Sequence, residues 1–379
     1  MIIDQLQKEE HEHSSRITAR VTWEDCDQPP RQVFIATEHP WSQDLTPNPD
    51  AFVVGCLLPA MHFGERRLRI QGSICPSLRE NLDTVMGLMR FWSQGEMKPL
   101  AIEAELLGRP RWQGRARRAG MFMSGGMDSL ATLRKNRLNF SPGHPAYLRD
   151  CLMVHGFDIG GVVARGAKYH VFERARQRLA PVAREAGVEL IPLYTNLRHL
   201  YDERQFWLNR FYSAVLAACA HALAKRLDLV YIASGLDYPK LAPCGSHPLL
   251  DPEYSSYELR LKHAHTELTR LEKIRLVADW EVALQNFRVC LANKPDLYNC
   301  GRCEKCIRTM VGLLAAGALH KTRAFADDDV TPELLASVNI RDHHRAAFYW
   351  ELVPALEELG RQDLVEAIRR GTAPEPDQG

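Results

Sequence analysis

An α/β fold, built on a parallel sheet with helices on both faces, is what this 379-residue sequence predicts. Three observations carry the expectation. From Ala119 onward short apolar runs alternate with long helical patterns; the first of these runs opens into a glycine-rich turn; and the first 108 residues carry strand-like runs separated by Pro, Asp, Asn and Gly. Strand–helix alternation implies right-handed crossovers, which cover both faces of a parallel sheet and bring the strand ends to one edge.

In chain order, RITARVTW, RQVFIATE, AFVVGCLLPA and RLRIQGSI read as strands of a β-rich unit over residues 1–108. Leu78, Leu82, Val85, Met86 and Met89 recur at helical spacing within residues 77–92. RPRWQGRARR, residues 109–118, is an arginine-rich linker; it reads either as a solvated connection or as an arm contacting phosphates or an acidic partner. The main α/β unit spans residues 119–320. Its strands are AGMFM, DCLMVHGFD, VELIPLYTN and LDLVYIASG, with long helices over 166–187 and 204–227. After Leu249 the pattern turns helical, including HAHTELTRLEK, passes a cysteine cluster, and continues as helices over 321–370. The polar tail, residues 371–379, is expected to be disordered.

Bulk properties exclude several classes. Lys+Arg 48 against Asp+Glu 47 gives no general attraction to nucleic acid or anionic membrane. The polar, acidic N-terminus lacks the apolar core of a signal peptide, and no apolar run reaches the roughly 20 residues of a membrane span. A cytoplasmic protein is expected.

SGGMDS, residues 124–129, stands between a strand and a helix. Gly125 and Gly126 allow a tight turn with no side chain between backbone and ligand, and the N–H groups of the helix start then face an anion. Ser124 and Ser129 add hydroxyl donors. Asp128 is poorly placed beside a phosphate unless it holds a cation such as Mg²⁺ or positions a substrate. The lysine of G-x-x-x-x-G-K-[ST] is missing, so the loop is not of that type.

Of ten cysteines, Cys290, Cys300, Cys303 and Cys306 form C-x9-C-x2-C-x2-C. In a reducing compartment this spacing points to metal rather than disulfides. Four thiolates select Zn²⁺ or an iron–sulfur cluster, and a closed tetrathiolate zinc site is structural. Arg302, Lys305 and Arg308 would partly offset the thiolate charge. His263 and His265, read two apart on a helix, point to different sides and are set aside as metal ligands.

SGGMDS resembles the signature of the PP-loop ATP pyrophosphatases, whose HUP-type sheet is sandwiched by helices. With the four-cysteine knot at 290–306, residues 119–319 resemble the 7-cyano-7-deazaguanine synthases. The resemblance implies that ATP adenylates a deazapurine carboxylate of the 7-carboxy-7-deazaguanine kind, with pyrophosphate release, and that an amine then forms a C–N bond. It also implies that Ser124, Gly125, Gly126, Asp128 and Ser129 bind ATP phosphates and Mg²⁺. On the same basis Val154, His155 and Gly156 lie beside the adenosine. Arg210 and Lys273 enter the catalytic pocket, and Gly235 and Asp237 lie on the substrate side.

The synthases read the deazapurine with a segment that this chain replaces by LAPCGSHPLLDPEYSS, so Ser246, His247 and Asp251 become the candidate base-reading residues. Asp251 would accept from an amidine-like edge and His247 would shuttle a proton, or both would merely stabilise a turn. The synthases have no counterpart of the first 118 residues. Proteins of this type with such extensions resemble components of bacterial anti-phage gene clusters, which implies an acceptor amine on a partner protein in place of ammonia. Dimerisation is the other use of such an extension. Two further readings are tRNA thiolation, which lacks an evident cysteine pair here, and a non-catalytic assembly module, which does not account for the intact loop.

Overall fold

Ten strands line up in one sheet in the computed structural model of the chain, which describes residues 1–112, 118–157, 159, 168–290, 292 and 297–373. They are β1 (Ile2–Glu10), β2 (Ser14–Thr22), β3 (Arg31–Glu38), β4 (Arg67–Ile74), β5 (Ala101–Leu106), β6 (Ala119–Phe122), β7 (Leu148–His155), β8 (Glu189–Thr195), β9 (Leu229–Ala233) and β10 (Arg260–Ala264). Edge to edge the order is β10-β9-β6-β7-β8-β3-β2-β1-β4-β5. The expected α/β architecture is present, and its sheet is mostly parallel. Strands β6 to β10 all run parallel.

The strands of the first 108 residues extend this same sheet. β3 pairs antiparallel with β8, from Ile35 opposite Thr195 to Thr37 opposite Leu193. Side chains tie the seam. Thr37 donates to the Pro192 carbonyl at 2.6 Å, Thr195 to that of Phe34 at 2.7 Å, and Asn196 accepts from the Phe34 N–H at 2.7 Å.

The helices are α1 (Pro49–His62), α2 (Pro76–Trp92), α3 (Met127–Asn139), α4 (Tyr169–Ala186), α5 (Arg204–Phe206), α6 (Tyr212–Ala222), α7 (Arg270–Ala278), α8 (Glu281–Asn286), α9 (Glu304–Ala315), α10 (Pro332–Ala336), α11 (His343–Trp350), α12 (Val353–Glu358) and α13 (Gln362–Thr372). Alternate strand residues feed two cores, as the pleat requires. Phe122, Leu152, Val154 and Ile232 join α1, α2 and α6 in one. Met121, Cys151, Met153 and Tyr231 join α3, α4, α7 and α9 in the other. Among the described residues no side chain of β1–β5 enters the second core, so that half of the sheet is covered on one face only.

Two expectations are corrected. AFVVGCLLPA lies in helix α1, capped by Asn48, whose side chain accepts from the Asp50 N–H, with Pro49 in the first turn. Every residue from Asp50 to Met61 is buried, so no polar stripe marks the helical period. RLKHA, read as helical, is strand β10, paired with β9. The 204–227 helix is also interrupted: a π-helical turn, Trp207–Phe211, separates α5 from α6. Gly245 is the wedge, donating its N–H to the Leu208 carbonyl at 2.9 Å and accepting from Ser213 N–H at 3.1 Å.

Of the arginine-rich linker, residues 113–117 lie outside the described residues, as does the tail from residue 374. Arg111 and Arg118 anchor structure: Arg111 bonds Asp50 and Glu258, and Arg118 bonds Asp150. Among the described residues no helix is long and apolar enough to cross a membrane.

Candidate functional site

The order in which the parallel strands are added reverses at β6: β7 and β8 add on one side of β6, β9 and β10 on the other. In open α/β sheets ligands bind in the crevice outside the carboxyl ends of the strands at such a switch point. The turn at residues 124–129 follows β6 at that position and opens α3. Gly125 has φ +75, a backbone that favours glycine, and a Cβ there would crowd Leu179 Cδ1 at 3.0 Å. Gly126 is the N-cap of α3. The turn is braced by Ser129, whose hydroxyl donates to the Gly126 carbonyl at 3.0 Å, and by the Arg288 N–H, which donates to the Gly125 carbonyl at 2.8 Å.

A cavity of about 270 Å³ opens above the turn. Ser124, Gly126 and Asp128 line it from the turn, and Gly235 from the end of β9. Among the described residues, the other walls bring four cations, Arg270, Arg288, Lys305 and Arg308, against one lining carboxylate, that of Asp128. Arg270 NH1 donates to Asp128 Oδ2 at 2.5 Å. Lys273, 2% exposed, holds its Nζ 3.7 Å from Asp128 Oδ1 and donates to the Ser234 carbonyl at 2.8 Å. Asp128 Oδ1 is itself buried without a hydrogen bond. Burial pushes the Asp128 carboxyl up, but Arg270 and Lys273 outweigh it and leave the net shift downward. Burial draws both Lys273 and Arg308 below their usual ranges. Arg308 stacks its guanidinium 4.5 Å from the Phe348 ring and faces Glu304 at 3.4 Å.

The loop residues expected to meet phosphate, with Gly235 and Lys273, are thus together. The remaining candidates lie in other surroundings. Asp237 is 5% exposed and bound by Lys240, with both oxygens 2.8 Å from its Nζ. Arg210 donates to the carbonyls of Trp92 and Asn209 and is not among the residues lining the cavity. Val154 and His155 end β7 and Gly156 follows it; Gly156 has φ +96, and a Cβ there would collide with the Thr195 carbonyl at 2.7 Å. His155 is fully buried, stacks on Tyr169 at 4.6 Å, and neither ring nitrogen has a hydrogen bond. Burial lowers its pKa to about 4, so the ring is neutral at pH 7.

Asp251, wholly buried, already has both oxygens occupied. Its Oδ2 accepts from Ser246 at 2.6 Å and meets His263 Nδ1 at 2.7 Å; Oδ1 accepts the His247 N–H at 3.3 Å. This carboxylate fixes the 244–251 turn and orients His263, a residue brought in by β10 and missed in the sequence because RLKHA was read as helix. His263 Nε2 is buried without a hydrogen bond. His265, beyond the strand, meets Glu267 at 3.1 Å, so the two histidines share no ligand geometry.

The four cysteines converge as their spacing predicts, with all Sγ atoms within 4.8 Å of one another. Four thiolates about 2.3 Å from one tetrahedral ion must stand about 3.8 Å apart, and Cys300 and Cys306 Sγ are 3.8 Å apart. The donor set therefore fits a Zn²⁺-sized ion. Hydrogen bonds from Cys306 and its neighbours lower the pKa of Cys303, favouring a thiolate there. Asn299 locks the entry of the knot: Oδ1 accepts from Val289 and Cys290 N–H, and Nδ2 donates to the Phe287 carbonyl.

Arg270, Arg288, Lys305 and Arg308 as pocket residues were not legible in the sequence. Two of them had been assigned to the thiolates. The signal that finds them is register: Cys303 is the N-cap of α9, and Lys305 and Arg308 lie three apart on one face of its first turns. Comparison of the chain with protein-family profiles, with curated proteins and with solved structures finds no match.

Proposed function

We propose that this chain is an ATP-dependent, AMP-forming C–N ligase, acting on a carboxylate of the 7-carboxy-7-deazaguanine type. The observation that supports the reading most is the meeting of the 124–129 turn with Arg270, Arg288, Lys305 and Arg308 at the switch point of the parallel sheet. A helix start and four cations around one small cavity suit a diphosphate leaving group, whose charge grows as it departs. The sequence resemblance supplies the reaction class.

In this reading a carboxylate oxygen attacks the α-phosphorus of ATP, the bond to the β-phosphate oxygen breaks, and pyrophosphate leaves with its electron pair. An amine nitrogen then attacks the acyl carbon, loses a proton, and displaces AMP. Arg288, Lys305 and Arg308 hold the leaving diphosphate. Asp128 would hold Mg²⁺, which supplies charge neutralisation on the phosphates; the unbonded Oδ1 is the oxygen that would engage it, while Oδ2 stays with Arg270. Cys290, Cys300, Cys303 and Cys306 would hold Zn²⁺, which supplies a cross-link. The acceptor is ammonia, giving an amide, and a nitrile once a second ATP adenylates the amide oxygen and that oxygen leaves with AMP, or it is the amine of a partner protein met through the N-terminal half. Incubating the chain with MgATP and 7-carboxy-7-deazaguanine should release AMP and pyrophosphate in equal amounts, and the product mass identifies the acceptor. No AMP formation with this carboxylate, at any amine supplied, overturns the reading.

A further inference from the structure

The cysteine knot and one side of the cationic cavity share two segments of chain. Arg288 and Val289 line the cavity and Cys290 follows at once. The Arg288 N–H donates to the Gly125 carbonyl at 2.8 Å, so the segment entering the knot also holds the glycine turn. On the other side, α9 starts at the knot: Cys303 is its N-cap and Cys306 lies in its first turn, while Lys305 and Arg308, interleaved with them, line the cavity. Asn299 joins the two segments by bonding Val289, Cys290 and Phe287. Of the four cations that line the cavity among the described residues, three are thus within two residues of a cysteine of the knot.

We infer that occupation of the four-thiolate site by a metal ion and occupation of the cavity by a diphosphate are thermodynamically coupled, with Arg288, Lys305 and Arg308 as the anion half-site that the metal positions. This rests on the phosphate reading above. An ion binding the thiolates clamps the 287–290 segment against the start of α9 and sets the separation of the cations. A diphosphate bridging those cations resists the same two segments moving apart. Neither ligand needs to touch the other, because both favour one arrangement of the same backbone. The coupling must be equal in both directions.

The experiment uses the full chain, zinc and inorganic pyrophosphate. Pyrophosphate affinity is measured by calorimetry on zinc-loaded and chelator-stripped protein, with near-ultraviolet circular dichroism reporting the fold. The rate of zinc release to a chromogenic chelator is measured on loaded protein with and without pyrophosphate. Stripping should weaken pyrophosphate by about tenfold or more, and saturating pyrophosphate should slow zinc release by a comparable factor, within the usual range of coupling between sites. Arg288→Gln should keep one zinc per chain and lose most of the protection by pyrophosphate.

If the stripped chain loses its fold, the release rates on loaded protein decide alone. Zinc release indifferent to bound pyrophosphate, or equal pyrophosphate affinity in folded stripped and loaded chains, overturns the coupling while leaving the phosphate site standing. Loaded protein that does not bind pyrophosphate at all overturns the phosphate site, and the coupling with it.

Discussion

Asp128 and Asp150 are carboxylates at opposite ends of the same parallel strands, each approached by two cationic side chains. Asp150 stands near the amino end of β7. Arg118 and Arg226 each grip it with two bonds, Nε and NH2, at 2.5 to 3.0 Å, so that both oxygens are doubly filled. Asp128 stands beyond the carboxyl end of β6, with one oxygen on Arg270 and the other buried, 3.7 Å from Lys273 and without a hydrogen bond. A buried charge that is fully bonded serves structure; one left half-bonded in a cavity leaves an oxygen open to a water or a cation. The difference follows the rule for open α/β sheets, whose ligands sit at the carboxyl ends of strands.

Substituting each aspartate tests the contrast. Asp150→Ala leaves two partly buried guanidinium groups facing each other, and chemical denaturation should show a loss of about 3–5 kcal/mol. AMP formation per folded molecule should change little. Asp128→Asn keeps shape and one acceptor; its stability should stay within about 1 kcal/mol of the parent, and AMP formation should fall by about 100-fold or more, as for loss of one transition-state charge partner. Equal stability losses for the two variants would erase the distinction drawn here.

What could be read from the sequence divides along similar lines. The turn and the knot were legible because glycine pairs and C-x2-C steps are locally distinctive and their chemistry depends on neighbours in the chain. Arg270, Arg288, Lys305 and Arg308 were not, because arginine and lysine are common, and their meeting depends on how β10, α7, α9 and the knot pack. The strand-and-helix alternation from Ala119 gave the parallel sheet. α1 was misread because a helix buried on all sides has no amphipathic period. That β3 joins β8 was not visible either, since a register between residues more than 150 apart leaves no local trace.

Gly125 sharpens the comparison on the backbone. Alanine there would adopt φ +75 and press on Leu179, costing about 1–2 kcal/mol of stability. Relief by tilting the turn would move it away from the cations, so pyrophosphate affinity should fall more than the stability loss alone predicts. Calorimetry on Gly125→Ala at a temperature where it is fully folded separates the two. Unchanged affinity would mean that the turn does not shape the site.

A pH-dependent effect extends the contrast to an uncharged group. His221 and His155 are both fully buried; His221 Nε2 meets the Tyr254 carbonyl at 2.7 Å, whereas neither nitrogen of His155 has a hydrogen bond. Burial depresses the folded pKa of His155 to about 4, below the ordinary 6.5, because its imidazolium would lose hydration beneath Tyr169. Below pH 6.5 the unfolded chain therefore takes up a proton that the folded chain refuses until about pH 4. Stability should fall as pH drops through that window and level off beneath it. The full span corresponds to about 3 kcal/mol, and about 2 is expected because the covering Tyr169 is itself 54% exposed. His155→Phe keeps the stacked ring and removes the proton site. Urea unfolding of parent and variant at pH 7, 5.5 and 4.5 should show the parent losing about 2 kcal/mol more than the variant. Parallel losses would mean that His155 meets solvent or a partner, and that its unbonded nitrogens do not mark the site.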